Sequence, residues 1–337
     1  MSQYSPSVFL DWSDTSCSSD WQSNDGQTLP WWSLMNEAQI VVGKRVSVVK
    51  SSRFCSTLIT NTLEHVKDTA KIAAPDNKRR IDEKIERDAG ISMKDQIPND
   101  LAEIQSLPGS MSSGVDSCII ICQDEELNGF IKFANDHALK VRDVFTVNDT
   151  DRLSKDFAHC TQLSEQKPSD ASRSPPLSPN YNSLLLLATM TSGSTKTANL
   201  EKLIGILKVL SRGEFSSLVL RVDDNTLTMF YTSIFFILSR FFEEYCMIKP
   251  SSSAPHEASR YLVYRSCCNT DVSVISDHLK LVIGKILVCK EGEDVLQFFP
   301  SFEVLKGHFE EFYIDMNNCI ARRQAKAIHD IHQVLSK

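Results

Sequence analysis

The stretch from Ser216 to Arg265, SSLVLRVDDNTLTMFYTSIFFILSRFFEEYCMIKPSSSAPHEASRYLVYR, constrains the fold more than any other part of the chain. It reads as strand, long apolar helix, strand, Ser/Pro loop and strand. Ser217–Val222 is an apolar, strand-forming run, and Met229–Glu244 is so apolar that the predicted helix must be covered on most sides. Cys246–Lys249 and Tyr261–Tyr264 are predicted strands on either side of the 251–259 loop. Upstream, Ser117–Cys122 (SCIIIC) and Ser183–Thr189 (SLLLLAT) are continuous apolar runs, the pattern of parallel strands buried on both faces. Helical spacing separates such runs: Glu125–His137 with Leu127, Phe130, Ile131 and Phe133, and Leu200–Leu210 closed by Gly213. Val141–Val147 is a further predicted strand, and Phe309–Leu335 a long final helix. The alternation predicts an α/β fold with a doubly wound, mostly parallel, Rossmann-like sheet and an antiparallel edge.

The N-terminal part is less regular. Residues 1–30, rich in Ser, Asp, Gln and Trp, have the composition of a disordered tail, with an acidic-aromatic docking segment around Trp12 and Trp21 as the other reading. Residues 31–110 are expected to form a mixed helical and strand extension packed on the core. In it Gln39–Val42 and Val46–Lys50 alternate as strands do. Ser56 is placed to cap a helix running through His65, with Leu58, Ile59, Leu63 and Val66 on one face. Residues 75–100 are highly charged, and the Lys78–Arg80 cluster reads as a solvated face because acids interleave after it. The main domain is expected over 111–337, interrupted by a Pro/Ser-rich disordered loop at 162–180 that carries the dipeptides Ser174-Pro175 and Ser178-Pro179.

At 337 residues, 42% of them apolar, the chain can bury a large core. Lys and Arg number 36 against 43 Asp and Glu, a net charge of −7, so any RNA affinity must come from a local patch or a partner. The ten cysteines fall mostly in apolar runs and show no paired CxxC spacing. They read as reduced core thiols, with neither a disulfide framework nor a zinc site expected, and the implied location is nucleus or cytoplasm. The N-terminus lacks the basic and apolar regions of a signal peptide. The longest apolar run, Met229–Leu238, is too short to span a bilayer.

Three segments resemble the FtsJ-like 2'-O-ribose methyltransferases that act on the mRNA cap. Leu218–Asp224 (LVLRVDD) is similar to the family's strand that ends in a catalytic Lys, followed shortly by Asp. Lys249-Pro250 through Arg260-Tyr261 is similar to its Lys-Pro, Ser/Pro loop and Glu-Arg-Tyr. EVLKGHFEEFYIDMNNCIARRQAKAIHDIHQVL, Glu303–Leu335, looks like its C-terminal helix. Together they cover roughly residues 183–337. The resemblance implies the methyltransferase variant of the Rossmann-like sheet, with S-adenosylmethionine as cofactor and capped mRNA as substrate.

Family members carry a Lys-Asp-Lys-Glu set. A Lys held between carboxylates orients the ribose 2'-hydroxyl and helps to remove its proton, and the sulfonium methyl then needs in-line positioning. On this chain the Asp position falls at Thr189, the central Lys at Arg221 and the Glu at Ser259; the first Lys has no assigned counterpart. A guanidinium stays charged and cannot act as the base. Hydroxyls cannot replace two carboxylates. Asp223, Asp224 and Glu257 are the nearest alternative acids. The family's Gly-rich cofactor turn corresponds to Cys122–Phe130, where only Gly129 and Phe130 remain, and Gln123, Asp124, Glu125 and Glu126 put side chains where the cofactor would lie.

The resemblance is greatest to the degenerate C-terminal domain of the cap 2 enzyme: a pseudoenzyme inactive alone and not binding S-adenosylmethionine itself. Its partners would be capped mRNA or a catalytic methyltransferase domain, with no membrane and no metal. Arg322, Arg323 and Lys326 form the best candidate RNA contact, and Tyr261 a candidate for cap stacking. Two other readings stay open: an active cap methyltransferase with a rearranged site, and an unrelated α/β interaction protein.

Overall fold

The computed structural model describes residues 17–23, 37–45, 53–71, 74–89, 95–107, 115–146, 184–211, 215–267, 272–300 and 308–335, with Gly109 and Met111. Its centre is a mixed sheet. The strands are β1 (Cys17–Ser18), β2 (Gln22–Ser23), β3 (Val41–Lys44), β4 (Ser117–Cys122), β5 (Lys140–Thr146), β6 (Leu184–Met190), β7 (Phe215–Val222), β8 (Phe242–Lys249), β9 (Arg260–Cys267) and β10 (Glu293–Gln297). The helices are α1 (Thr57–Ala70), α2 (Pro75–Ala89), α3 (Gln96–Ser106), α4 (Asp124–Asp136), α5 (Lys196–Leu210), α6 (Met229–Ser239), α7 (Ser273–Leu287) and α8 (His308–Leu335).

The main sheet runs in the order β1-β8-β9-β7-β6-β4-β5. Strands β5, β4, β6 and β7 are parallel, and β9 lies antiparallel between β7 and β8. The protein is therefore a Rossmann-like α/β fold. The antiparallel edge expected from the sequence is present, and it begins with β9. That strand lies one place inward of β8, and β1 and β2 form the outer antiparallel edge on β8. The strand order reverses between β4 and β6, the place where open α/β sheets form their ligand crevice.

The uninterrupted apolar runs have a simple cause: both faces of the sheet are covered. Along β6, Leu184, Leu186, Ala188 and Met190 face one core, and Leu185 and Leu187 face the other. The first core takes the buried residues of α5, α6 and α8; the second takes Leu101 and Ile104 of α3 and Phe130 and Phe133 of α4. The α6 helix is buried at ten successive residues from Phe230 to Ser239. It stops at Ser239, earlier than its apolar pattern implies. The amides of Arg240 and Phe241 turn back onto Ile237 and Leu238, and the equally apolar Phe242 already belongs to β8. A buried helix followed at once by a buried strand gives no change of pattern to mark the junction.

Several N-terminal expectations are corrected. Residues 17–23 are not tail: they pair with β8, Ser19 exchanges hydrogen bonds with Met247, and the Arg265 guanidinium lies 4.0 Å from the Trp21 ring. Cys17 is disulfide-bonded to Cys319 of α8, 302 residues away, so these two are not the reduced thiols expected. The other described cysteines, Cys55, Cys118, Cys122, Cys246, Cys267 and Cys289, form no disulfide among the described residues. Helix α1 buries Ile59 and Leu63 against α8, but Leu58 is 76% exposed. Ser56 begins that helix without a side-chain cap; its amide donates to Asn318 Oδ1 at 2.7 Å. The predicted strand at Val46–Lys50, the 162–180 loop with its Ser-Pro dipeptides, Gly213 and the docking residue Trp12 lie outside the described residues.

Among the described residues no helix is long and apolar enough to cross a membrane. Nor does any group of three or more His, Cys, Asp and Glu stand placed to hold a metal ion.

Candidate functional site

The carboxyl ends of β4, β6 and β7 open toward the switch point, and the residues there are long and polar. A single residue, Gln123, separates β4 from α4, so no glycine-rich turn exists to let a ligand approach the backbone. Gln123 Nε2 donates to Thr191 Oγ1 at 3.0 Å and to Ser194 Oγ at 2.6 Å, bridging the mouth between β4 and β6. From behind, Lys202 of α5, 1% exposed, donates to Thr189 O at 3.2 Å and Ser194 Oγ at 3.3 Å, and burial lowers its pKa.

Sheet register brings two of the three expected catalytic positions side by side: Thr189 pairs with Arg221, which pairs in turn with Tyr261. Arg221 does not reach a crevice. Its Nη1 donates to Glu126 Oε1 of α4 at 2.5 Å, with the two side chains 16% and 11% exposed. Burial works against the Arg221 charge, but the Tyr261 hydroxyl and the Glu126 and Glu257 carboxylates outweigh it and raise the guanidinium pKa above its ordinary value. It is a fixed cation, unable to take a proton from a ribose hydroxyl. Glu126, one of the acids that the sequence sets at the start of α4, is the partner that fixes it. Thr189 Oγ1, Ser259 Oγ, Glu126 Oε2 and Arg221 Nε are buried without hydrogen-bond partners among the described residues, so Thr189, Arg221 and Ser259 form no relay there.

A lysine and two acids do meet at the same edge, two strands away. Lys249, at the end of β8, is 1% exposed and donates to the carbonyls of Ala254, Glu257 and Ser259 at 3.0–3.2 Å. Burial pushes its amine from 10.5 down to about 8, with Asp100 opposing. Asp100 of α3 is itself wholly buried and accepts from Ser252, Ser253 and the Tyr261 hydroxyl at 2.6–3.0 Å; burial raises its pKa and these bonds oppose the rise. Glu103, one turn along, accepts from the amides of Ser251 and Ser252. Gln96 Nε2 lies 3.5 Å from Glu257 Oε2. The 251–259 loop is thus tied to α3. The lowered Lys249 pKa is what a catalytic amine requires, but all three of its hydrogens are engaged and the residue is buried. This cluster was not legible in the sequence: Asp100 sits 149 positions before Lys249 and carries no local signal.

The remaining expected residues have structural duties. Phe130 is fully buried in the second core. At Gly129 an added Cβ would come within 3.0 Å of Ile97, so this glycine lets α3 and α4 approach. Both belong to helix packing rather than a cofactor turn, and the residues of this turn do not fit S-adenosylmethionine. Tyr261 is 0% exposed, which removes it from cap stacking. Ser259 lies where β9 begins, beside Arg260, whose Nη1 donates to Asn317 Oδ1 of α8 at 2.7 Å. Arg322 and Lys326 are exposed one turn apart on α8, and Arg323 is half-buried between them.

The same edge also holds an open space. A cavity of about 1020 Å³ lies between the starts of α5 and α6, lined by Ser192–Thr197, Asp224, Asn225, Leu227–Tyr231 and, from other elements, Arg45, Arg53, Phe54, Ile286, Asp294 and Leu296. Sequence reading passed over it, because Thr195 and Thr228 look like ordinary helix caps, which they also are: each accepts from an amide three residues on.

No family model matches the sequence, and none of the curated proteins matches it.

Proposed function

We propose that this chain is a non-catalytic methyltransferase-like domain of the FtsJ-like cap 2'-O-methyltransferase kind, one that supports a catalytic partner domain or holds RNA. The observation that carries the reading is the Arg221–Glu126 ion pair. In an active member the corresponding strand end would present an amine to the reacting hydroxyl; here a guanidinium is held by a carboxylate from the helix that would otherwise border the cofactor. The Gln123 bridge to Thr191 and Ser194 supports the same reading, since it occupies the mouth the cofactor would need. So does the sheet order, with one antiparallel strand inserted beside β7.

Calorimetric titration with S-adenosylmethionine tests it. The expected result is no saturable binding and no methyl transfer to capped RNA by the chain alone. Micromolar affinity for the cofactor would overturn the reading.

A further inference from the structure

We propose that the Cys17–Cys319 disulfide is a redox-operated clasp: closed, it holds residues 17–23 on the outer edge of the main sheet; reduced, it lets them leave β8. This does not rest on the methyltransferase reading; it stands on how that edge is built.

The strap formed by residues 17–23 has little else to hold it. β1 and β2 are two residues each, with Cys17 opposite Lys249, Ser18 opposite Ile248, Gln22 opposite Tyr245 and Ser23 opposite Glu244. Between them, Ser19 N donates to Met247 O at 3.0 Å, and Met247 N donates to Ser19 Oγ at 3.1 Å. Fixing one residue's backbone costs about as much as one hydrogen bond returns on balance, so a ladder this short does not hold the strap by itself. The disulfide ties Cys17 to α8 across 302 positions of sequence and keeps the strap beside its partner strand.

Opening the clasp leaves the rest of the sheet in place. On its other side β8 stays paired with β9 from Phe242 to Ile248. Trp21 parts from Arg265, but that guanidinium keeps the Glu244 carboxylate and Gly109 O. No buried charge is orphaned, in contrast to what loss of Glu126 would do to Arg221.

The chemistry is thiol–disulfide exchange. Cys17 is 8% exposed, whereas Cys319 is half-buried and is the more open of the two. One thiolate of a dithiol attacks Cys319 Sγ, the bond to Cys17 breaks, and Cys17 leaves as a thiolate that takes up a proton. The second thiolate of the reductant then displaces Cys319, which is protonated in turn. The reductant ends as a disulfide, and two electrons have passed to the cysteine pair. A small disulfide such as oxidised glutathione runs the sequence in reverse. Other thiols do not compete: Cys118, Cys122 and Cys246 are buried, and burial pushes them up to about 11, about 12 and about 12, so they stay protonated at neutral pH.

The test is hydrogen exchange read by mass spectrometry on the full chain, before and after dithiothreitol, with the Cys17–Cys319 link followed by peptide mapping. On reduction, exchange over residues 17–23 and at the Met247 amide is expected to speed up by about tenfold or more, while 117–122 and 184–190 keep their protection. Oxidised glutathione should restore both the link and the slow exchange. Cys17→Ser should show the loose pattern in either buffer. Unchanged exchange over 17–23 after the link is cut would overturn the proposal, because the strap would then hold without its clasp. So would faster exchange throughout 117–122 and 184–190, which would make the disulfide a staple of the whole fold. A link that never forms in oxidised glutathione, or that native protein protects from dithiothreitol, would overturn it as well. S-adenosylmethionine binding plays no part in this readout, so the two proposals fail separately.

Discussion

The mouth between β4 and β6 and the cavity between α5 and α6 lie on the same carboxyl edge, yet one is filled and the other is open. Both sit where strands hand over to helices. At the mouth the hand-over residues are Gln123, Glu126 and Arg221, long enough to reach across to Thr191, Ser194 and one another. At the cavity they are Gly193, Thr195, Thr197 and Thr228, too short to reach across, and their hydroxyls serve the local turns. Backbone topology offers crevices at both places. Side-chain length decides which one a ligand can enter.

The contrast can be broken most directly at Glu126. Glu126→Ala leaves a buried guanidinium without its carboxylate, and a loss of about 3–5 kcal/mol in urea unfolding is expected. A loss under about 1 kcal/mol would mean that the ion pair does not close the mouth.

A smaller effect is expected on the other side of the sheet. Cys319→Ser removes the link between β1 and α8. It should lower stability by about 2–4 kcal/mol in oxidising buffer and change little in reducing buffer. Equal stability of the two proteins without reductant would show that the pairing of β1 and β2 on β8, with Trp21 under Arg265, suffices to hold the edge.

The third comparison sharpens the difference between a locked amine and a working one. Lys249 has a native pKa near 8, below its ordinary 10.5, so between those values the unfolded chain binds more protons than the folded one. Native stability therefore rises with pH across that window, and the penalty is complete below it. Lys249→Met abolishes this contribution. The stability difference, wild type minus variant, should increase from about pH 8 toward pH 10.5 in parallel denaturation series. A flat difference would place the amine in contact with solvent and reopen the question of its use.

The sequence was most legible where burial was two-sided. SCIIIC and SLLLLAT gave their strands within a residue, because a strand covered on both faces tolerates no polar alternation. The final helix was equally plain, its 28 residues matching the 3.6-residue pattern from end to end. Where the pattern did not change at a boundary, as from α6 into β8, the junction was misplaced. Helix α7 and strand β10 were missed; β10 pairs with β3, from the distant N-terminal region.

At the site, side-chain chemistry was legible and the partners were not. Arg221 can be recognised as a wrong residue for proton removal from its side-chain chemistry alone. That Glu126 holds it depends on α4 passing over the end of β7, 95 residues further along the chain. Asp100, which organises the Ser252–Ser253–Tyr261 cluster, gives no sign in its own neighbourhood.

By itself the sequence determined the strands buried on both faces and the long final helix, because burial period is a property of local residues. Only the tertiary structure decided that the switch point is closed, that Lys249 is sealed, and that an open cavity stands beside them. Those outcomes depend on which side chains, distant in the chain, come within hydrogen-bond reach once the sheet is wound.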